Sequence, residues 1–199
     1  NSTTQFRETI SLAIKYLLLI SVPLSVGIFI LAKPIMLFAF GEKYVDSVPA
    51  LQILIFSVIF SFISFPLGAA LNASGYERRQ TWLTGFTLLA NISANLLYIP
   101  HYGARGAAIA ALIGNILLGT VGFFLLPKKL KVDWSILLPV IIKLLIATAV
   151  MAGVVLELHT RSHNLLLAIV AGGLVYLFVA WLTGLIKPNE IKQLRFKQL

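Results

Sequence analysis

Cysteine is absent from the 199 residues, which excludes disulfides, thiolate metal sites and thiol catalysis. Acid is scarce as well: 7 Asp plus Glu stand against 16 Lys plus Arg, and charged residues together make up 12% of the chain. So little charge cannot solvate a water-soluble domain of this length, and 59% hydrophobic residues with a mean hydropathy of +0.94 put the chain in the membrane class. A net charge of +9 would suggest nucleic acid for a soluble domain; here the basic residues fall between apolar runs, and no nucleic-acid partner is expected. His101, His159 and His163 lack carboxylate or Cys partners at ligand spacing, so neither a metal nor another cofactor is expected. No secretory signal is legible in Asn1-Ser2-Thr3-Thr4-Gln5, which lacks an initiator Met and reads as the start of a piece cut from a longer polypeptide.

What the chain does have is six apolar runs, each long enough to cross a hydrocarbon core of about 30 Å with about 20 helical residues. The expected fold is therefore all-α and polytopic, with six transmembrane helices at 11–32, 48–71, 82–99, 107–126, 136–156 and 165–186. None of the six contains an acidic residue. The first run would continue to Phe40, about 46 Å of helix, which is too long for one span. Lys33-Pro34 is the expected break, with Pro34–Phe40 as a short interfacial helix stopped by Gly41 in a left-handed cap. Pro23 and Pro66 are expected kinks. In these terms 1–10 is a cytoplasmic lead-in, 11–126 holds four spans plus the interfacial helix 34–40, 134–186 holds two further spans, and 187–199 is a basic cytoplasmic tail.

Orientation follows from the connectors. Arg7, Lys15, Arg78, Arg79, Lys128, Lys129, Lys131, Lys187, Lys192, Arg195 and Lys197 fall on one side, and only Lys33, Lys43, Arg105 and Arg161 on the other. The excess of basic residues marks the cytoplasmic side and puts both termini there. Arg78-Arg79 would also attract anionic lipid.

The polar residues inside the spans are few. Thr81, Thr84, Leu88, Asn91 and Asn95 recur at steps of three and four, which puts the polar members on one face that should avoid lipid, either against another helix or along a hydrated pathway. The fourth span carries two small-residue rows, Gly103-Ala107-Ala111-Asn115-Gly119 and Gly106-Ala110-Gly114, suited to close helix packing. Gly172-Gly173, with Ala168, Ala180 and Gly184, suggests the same in the sixth. Lys143 is the one deep charge, about 10 Å inside the fifth span. Its expected partners are Thr120 and Asn115, or an anionic head group.

Three stretches then carry a family resemblance: Phe40-Gly41-Glu42-Lys43-Tyr44-Val45-Asp46-Ser47, Asn72-Ala73-Ser74-Gly75, and Asn91-Ile92-Ser93-Ala94-Asn95 through Ile99-Pro100-His101-Tyr102-Gly103-Ala104-Arg105-Gly106-Ala107-Ala108. Their order and spacing resembles the C-terminal half of polysaccharide flippases in the multidrug/oligosaccharidyl-lipid/polysaccharide exporter superfamily. The resemblance implies a parent of roughly fourteen spans in two pseudo-symmetric lobes plus two extra helices, of which this chain holds the last six. It also implies alternating access, with a polyprenyl-pyrophosphate-linked oligosaccharide carried across the cytoplasmic membrane between this part and a missing N-terminal lobe. Within that frame Asn91, Asn95, Asn72 and Lys143 are the substrate-pathway candidates, and no catalytic residue is expected. The alternatives are a cation-coupled multidrug exporter of the same fold, which would want a buried carboxylate that these spans lack, and a structural membrane scaffold.

Overall fold

A computed structural model describes residues 2–127, 132–162 and 164–185. Among these residues there are seven α-helices and one short 3-10 helix: α1 Ser2–Ile30, α2 Ala32–Phe40, the 3-10 turn Glu42–Ser47, α3 Val48–Ala73, α4 Glu77–Tyr102, α5 Ala104–Leu125, α6 Trp134–Ser162 and α7 Leu165–Leu182. Six are long and apolar enough to cross a membrane, and the chain is a multi-pass membrane protein. It divides into two compact units, Asn1–Leu137 and Leu138–Leu199.

In the first unit α3 lies between α1 and α5, and α4 packs mainly on α5. The α1–α3 seam is lined by small hydroxyl residues. Ser25 Oγ donates to the Ile55 carbonyl at 3.0 Å, Gln52 Nε2 to the Phe29 carbonyl at 3.1 Å, and the Phe29 ring meets Phe56. Hydroxyls on helices in hydrocarbon satisfy themselves on a neighbouring or preceding carbonyl, so they cost little and permit close approach. Both α1 and α3 continue through Pro23 and Pro66.

Several boundaries correct the expectations from sequence. The first span breaks at Leu31, not at Lys33-Pro34, and α2 begins at Ala32. Proline acts one turn upstream: Pro34 has no N–H for the Ile30 carbonyl and its ring crowds that carbonyl, so the helix gives way there. Gly41 does hold a positive φ, +80°, but its ψ of 179° puts it in the extended glycine-only region and not in the left-handed helical one. The chain thereby turns out of α2 into the 3-10 segment. The sixth span ends at Leu182, short of Ile186. Gly184, expected as a packing residue, instead has φ +68° and closes a Schellman motif, with Leu185 N–H donating to Ala180 O at 2.9 Å. Lys15 is not in a connector: it is a buried residue of α1, 3% exposed. Residues Lys128, Lys129, Lys131, His163 and the tail 187–199 lie outside the described residues.

In the second unit, Gly172 of α7 meets α6 so closely that an added Cβ would sit 2.4 Å from Val155 Cγ2. Ala168, Gly172, Tyr176 and Ala180 form the buried face of α7. The small-residue reading of the sixth span holds for Ala168, Gly172 and Ala180, whereas Gly173 is exposed and a Cβ there would meet nothing within 4 Å. Asn164 caps α7, its Oδ1 accepting the Leu167 N–H at 3.2 Å.

Candidate functional site

The α4–α5 hairpin is built from the most distinctive stretch of the sequence. A single residue, Gly103 with φ +53° and ψ −129°, joins the helices, a conformation that L side chains rarely adopt. Three residues on, Gly106 lies against the backbone of α4: a Cβ there would stand 2.3 Å from Tyr98 O. The row continues down α5. Gly114 faces Asn91 and Gly122 faces Leu83, so the expected Gly106-Ala110-Gly114 row is the α4 contact, while Gly119 meets Ser64 of α3.

Asn91 uses this closeness. Its Nδ2 donates across to the Ala110 carbonyl of α5 at 3.1 Å, and its Oδ1 accepts from Asn95 Nδ2 at 2.8 Å. Asn95 Nδ2 also lies 2.9 Å from the Asn91 carbonyl. Both amides are half-buried. They are therefore held by protein, but unequally. Asn91 is committed on both ends, whereas the Asn95 Oδ1 has no hydrogen-bond donor among the described residues and remains an open acceptor.

The rest of the expected polar face is displaced. Thr81, Thr84 and Leu88 are exposed, and the packed stripe of α4 instead runs through Leu83 and Thr87 to Asn91. Thr81, Thr84 and Thr87 all donate to carbonyls of their own helix, Glu77 O, Gln80 O and Leu83 O, so none of them needs a neighbour and their polarity does not decide which of them packs. Thr87, which does lie in the packed stripe, was legible only through its spacing of four from Leu83 and Asn91.

Asn72 is not brought to the amide pair. It stands exposed in the last turn of α3, where the chain makes a Schellman turn: Gly75 has φ +76°, its N–H donates to Asn72 O at 3.2 Å, and Tyr76 N–H donates to Leu71 O at 2.9 Å. Fourteen residues separate Glu77 at that end of α4 from Asn91, about 21 Å of helix. The Asn72-Ala73-Ser74-Gly75 motif thus has a structural explanation as a helix stop. Lys143 lies about 14 Å along α6 from Trp134, exposed, with no hydrogen-bond or ion-pair partner among the described residues of its own unit. Its expected partners belong to the first unit, where Thr120 is exposed and Asn115 Nδ2 donates to Ala111 O at 3.0 Å.

One polar junction had not been singled out from sequence. Asp133 N–H donates to Ser11 Oγ of α1 at 3.0 Å, and its carboxylate accepts from both the hydroxyl and the N–H of Ser135, at 2.6 and 3.0 Å. Those two Ser135 bonds hold the carboxyl below the ordinary carboxylate range, with a smaller contribution from Arg7 at 4.0 Å and a partial offset from desolvation. Asp133 immediately precedes α6, and its bond to Ser11 ties this connecting segment to α1. The Asp-Trp-Ser sequence ahead of an apolar run was the available signal.

The profile of the lipid II flippase MurJ family matches residues 1–176. The membrane protein YabM of Bacillus subtilis is 24% identical over 206 residues, covering 96% of this chain and 37% of its own length. A membrane protein in the cps region of Klebsiella pneumoniae is 27% identical over 181 residues, covering 86% of this chain and 36% of its own. The chain thus spans just over a third of the length of these relatives. The solved inward closed conformation of lipid II flippase MurJ superposes with a TM-score of 0.74 at 22% identity, over 89% of this chain and 39% of that one. Fold and family agree with the superfamily that the sequence motifs suggested, a family of transporters and not of enzymes, and the chain belongs to the lipid II flippase MurJ family.

Proposed function

We propose that the chain is the C-terminal part of a flippase that carries a polyprenyl-pyrophosphate-linked glycan across the cytoplasmic membrane by alternating access. The family match over residues 1–176 is the observation that carries this reading. The amide pair supports it. Neutral, half-buried amides in a helix hairpin can exchange hydrogen bonds with sugar hydroxyls without the cost of a buried charge. In this reading Asn95 offers its open carbonyl to the glycan, Asn91 holds Asn95 in place, and Lys143 and Asn72 meet head-group or pyrophosphate oxygens nearer the interfaces. The partners are the bilayer, the lipid-linked glycan and a preceding lobe of the same polypeptide.

The test uses the full-length parent. Expressed in cells depleted of their own lipid II flippase, it is expected to restore growth; in cells lacking a polysaccharide flippase, with matching biosynthetic genes, it would restore surface glycan if the cargo is a polysaccharide precursor. A well-inserted parent that restores neither, but lowers drug accumulation, would move the assignment to multidrug export.

The orientation is part of the same proposal. Because the chain contains no cysteine, single cysteines report cleanly. Cysteines at Ser47 and His159 are expected to react with an impermeant maleimide in intact cells, and one at Glu77 only after permeabilisation. The opposite pattern would invert the topology.

A further inference from the structure

We propose that the outward face of α4 is a docking strip for one anionic phospholipid of the leaflet at the Glu77 end, with Arg78 holding its phosphate. This goes beyond the flipping reading and does not depend on it.

The α4 span is the least enclosed of the six, with 11% of its apolar window buried against 22–39% in the others. Steps of three and four put Arg78, Trp82, Phe86 and Leu89 on one side of the helix, away from the packed stripe of Leu83, Thr87 and Asn91. All four are exposed, Trp82 by 80%. Gly85 lies between them, and a Cβ there would meet nothing within 4 Å, so the strip carries a shallow notch at this point. From Arg78 to Leu89 is about 16 Å, half of a hydrocarbon core of about 30 Å, and therefore the depth of one leaflet. The order along it is a guanidinium, then an indole at the interface, then apolar side chains. That is the order of phosphate, glycerol and acyl chain in a phospholipid.

Charge decides which phospholipid. The two adjacent arginines are not equivalent. Arg79 is already engaged, with Nη1 donating to the Leu125 carbonyl at 3.3 Å and the guanidinium over the Tyr76 ring at 4.6 Å. Arg78 has no hydrogen-bond or ion-pair partner among the described residues, its neighbour Glu77 included. An unpaired guanidinium at the head-group level is matched by a lipid of net negative charge and only partly by a zwitterionic one, a preference of about fivefold for one basic residue.

The experiment reads Trp82 directly. Trp134→Phe and Trp181→Phe leave it as the sole tryptophan, and phenylalanine at 134 keeps a ring against Phe123. The protein is reconstituted in vesicles of dioleoylphosphatidylcholine with increasing fractions of brominated phosphatidylglycerol or brominated phosphatidylcholine. Both lipids should quench Trp82, with phosphatidylglycerol binding about fivefold more tightly, and Arg78→Gln should reduce that ratio to about one. Arg78 is exposed, so this substitution leaves the fold intact. No quenching by either lipid would mean that a second copy of the chain covers the strip. That result, equal quenching by the two lipids, or a preference that survives Arg78→Gln, overturns the proposal.

Discussion

Gly106→Ala is expected to destabilise the first unit by about 3 kcal/mol, the upper part of the range for overpacking. The methyl would enter 2.3 Å from Tyr98 O, 2.5 Å from Tyr98 C and 2.9 Å from Ile99 N. All three are main-chain atoms, so no rotamer change relieves the clash. The one-residue link at Gly103 leaves no slack for the helices to part. For a chain of this size the loss corresponds to an apparent Tm lower by about 6–12 °C in detergent. Gly85→Ala is the control, because its methyl meets nothing within 4 Å and alanine gains helix propensity of up to about 1 kcal/mol. A Gly106→Ala protein that melts with the wild type would mean that α4 and α5 do not approach as described.

The second large effect separates the two asparagines. Asn95→Leu removes the open acceptor and the bonds to Asn91 within α4 but no interhelical bond, so glycan export by the full-length parent should fall about fivefold, the worth of one hydrogen bond of about 1 kcal/mol, with a smaller loss of Tm than Asn91→Leu. Asn91→Leu removes the bond to Ala110 and puts a branched side chain against Gly114. Its Tm should therefore fall, by the roughly 0.6–1.7 kcal/mol that such bonds contribute in membranes plus the packing cost. The double variant Asn91→Leu, Asn95→Leu should combine the losses and still insert. Full export by Asn95→Leu would remove the amide pair from the transport path.

Six spans, their order and the α4–α5 contact row were legible because each rests on a signal that survives averaging: long apolar runs, and small residues at a helical period. The family followed from motifs whose reasons are now visible, since Gly75, Gly103 and Gly106 each occupy a backbone position that tolerates no side chain or resists one. What failed was local. The break at Leu31 fell a turn before the proline that causes it, because a proline's missing bond belongs to the carbonyl four residues back. The packed face of α4 is narrower than the polar pattern because a threonine that bonds its own helix, as Thr81, Thr84 and Thr87 all do, can face lipid or a neighbour alike, so polarity alone does not mark the packed side. Lys15 was counted as a connector charge because a hydropathy pattern does not register that a single lysine has been enclosed.

The Asp133–Ser11 bond spans 122 residues, and that separation sets an order of events during synthesis. At about 5–20 residues per second, Ser11 is made roughly 6–24 s before Asp133. Throughout that interval the Ser11 hydroxyl can donate to the Arg7 carbonyl of its own helix at 2.9 Å, and this bond persists in the finished fold. Asp133 takes up the oxygen's lone pair, not its proton. The first helix therefore waits with a satisfied hydroxyl, and the segment ahead of α6 is tied to it by adding a bond without breaking one.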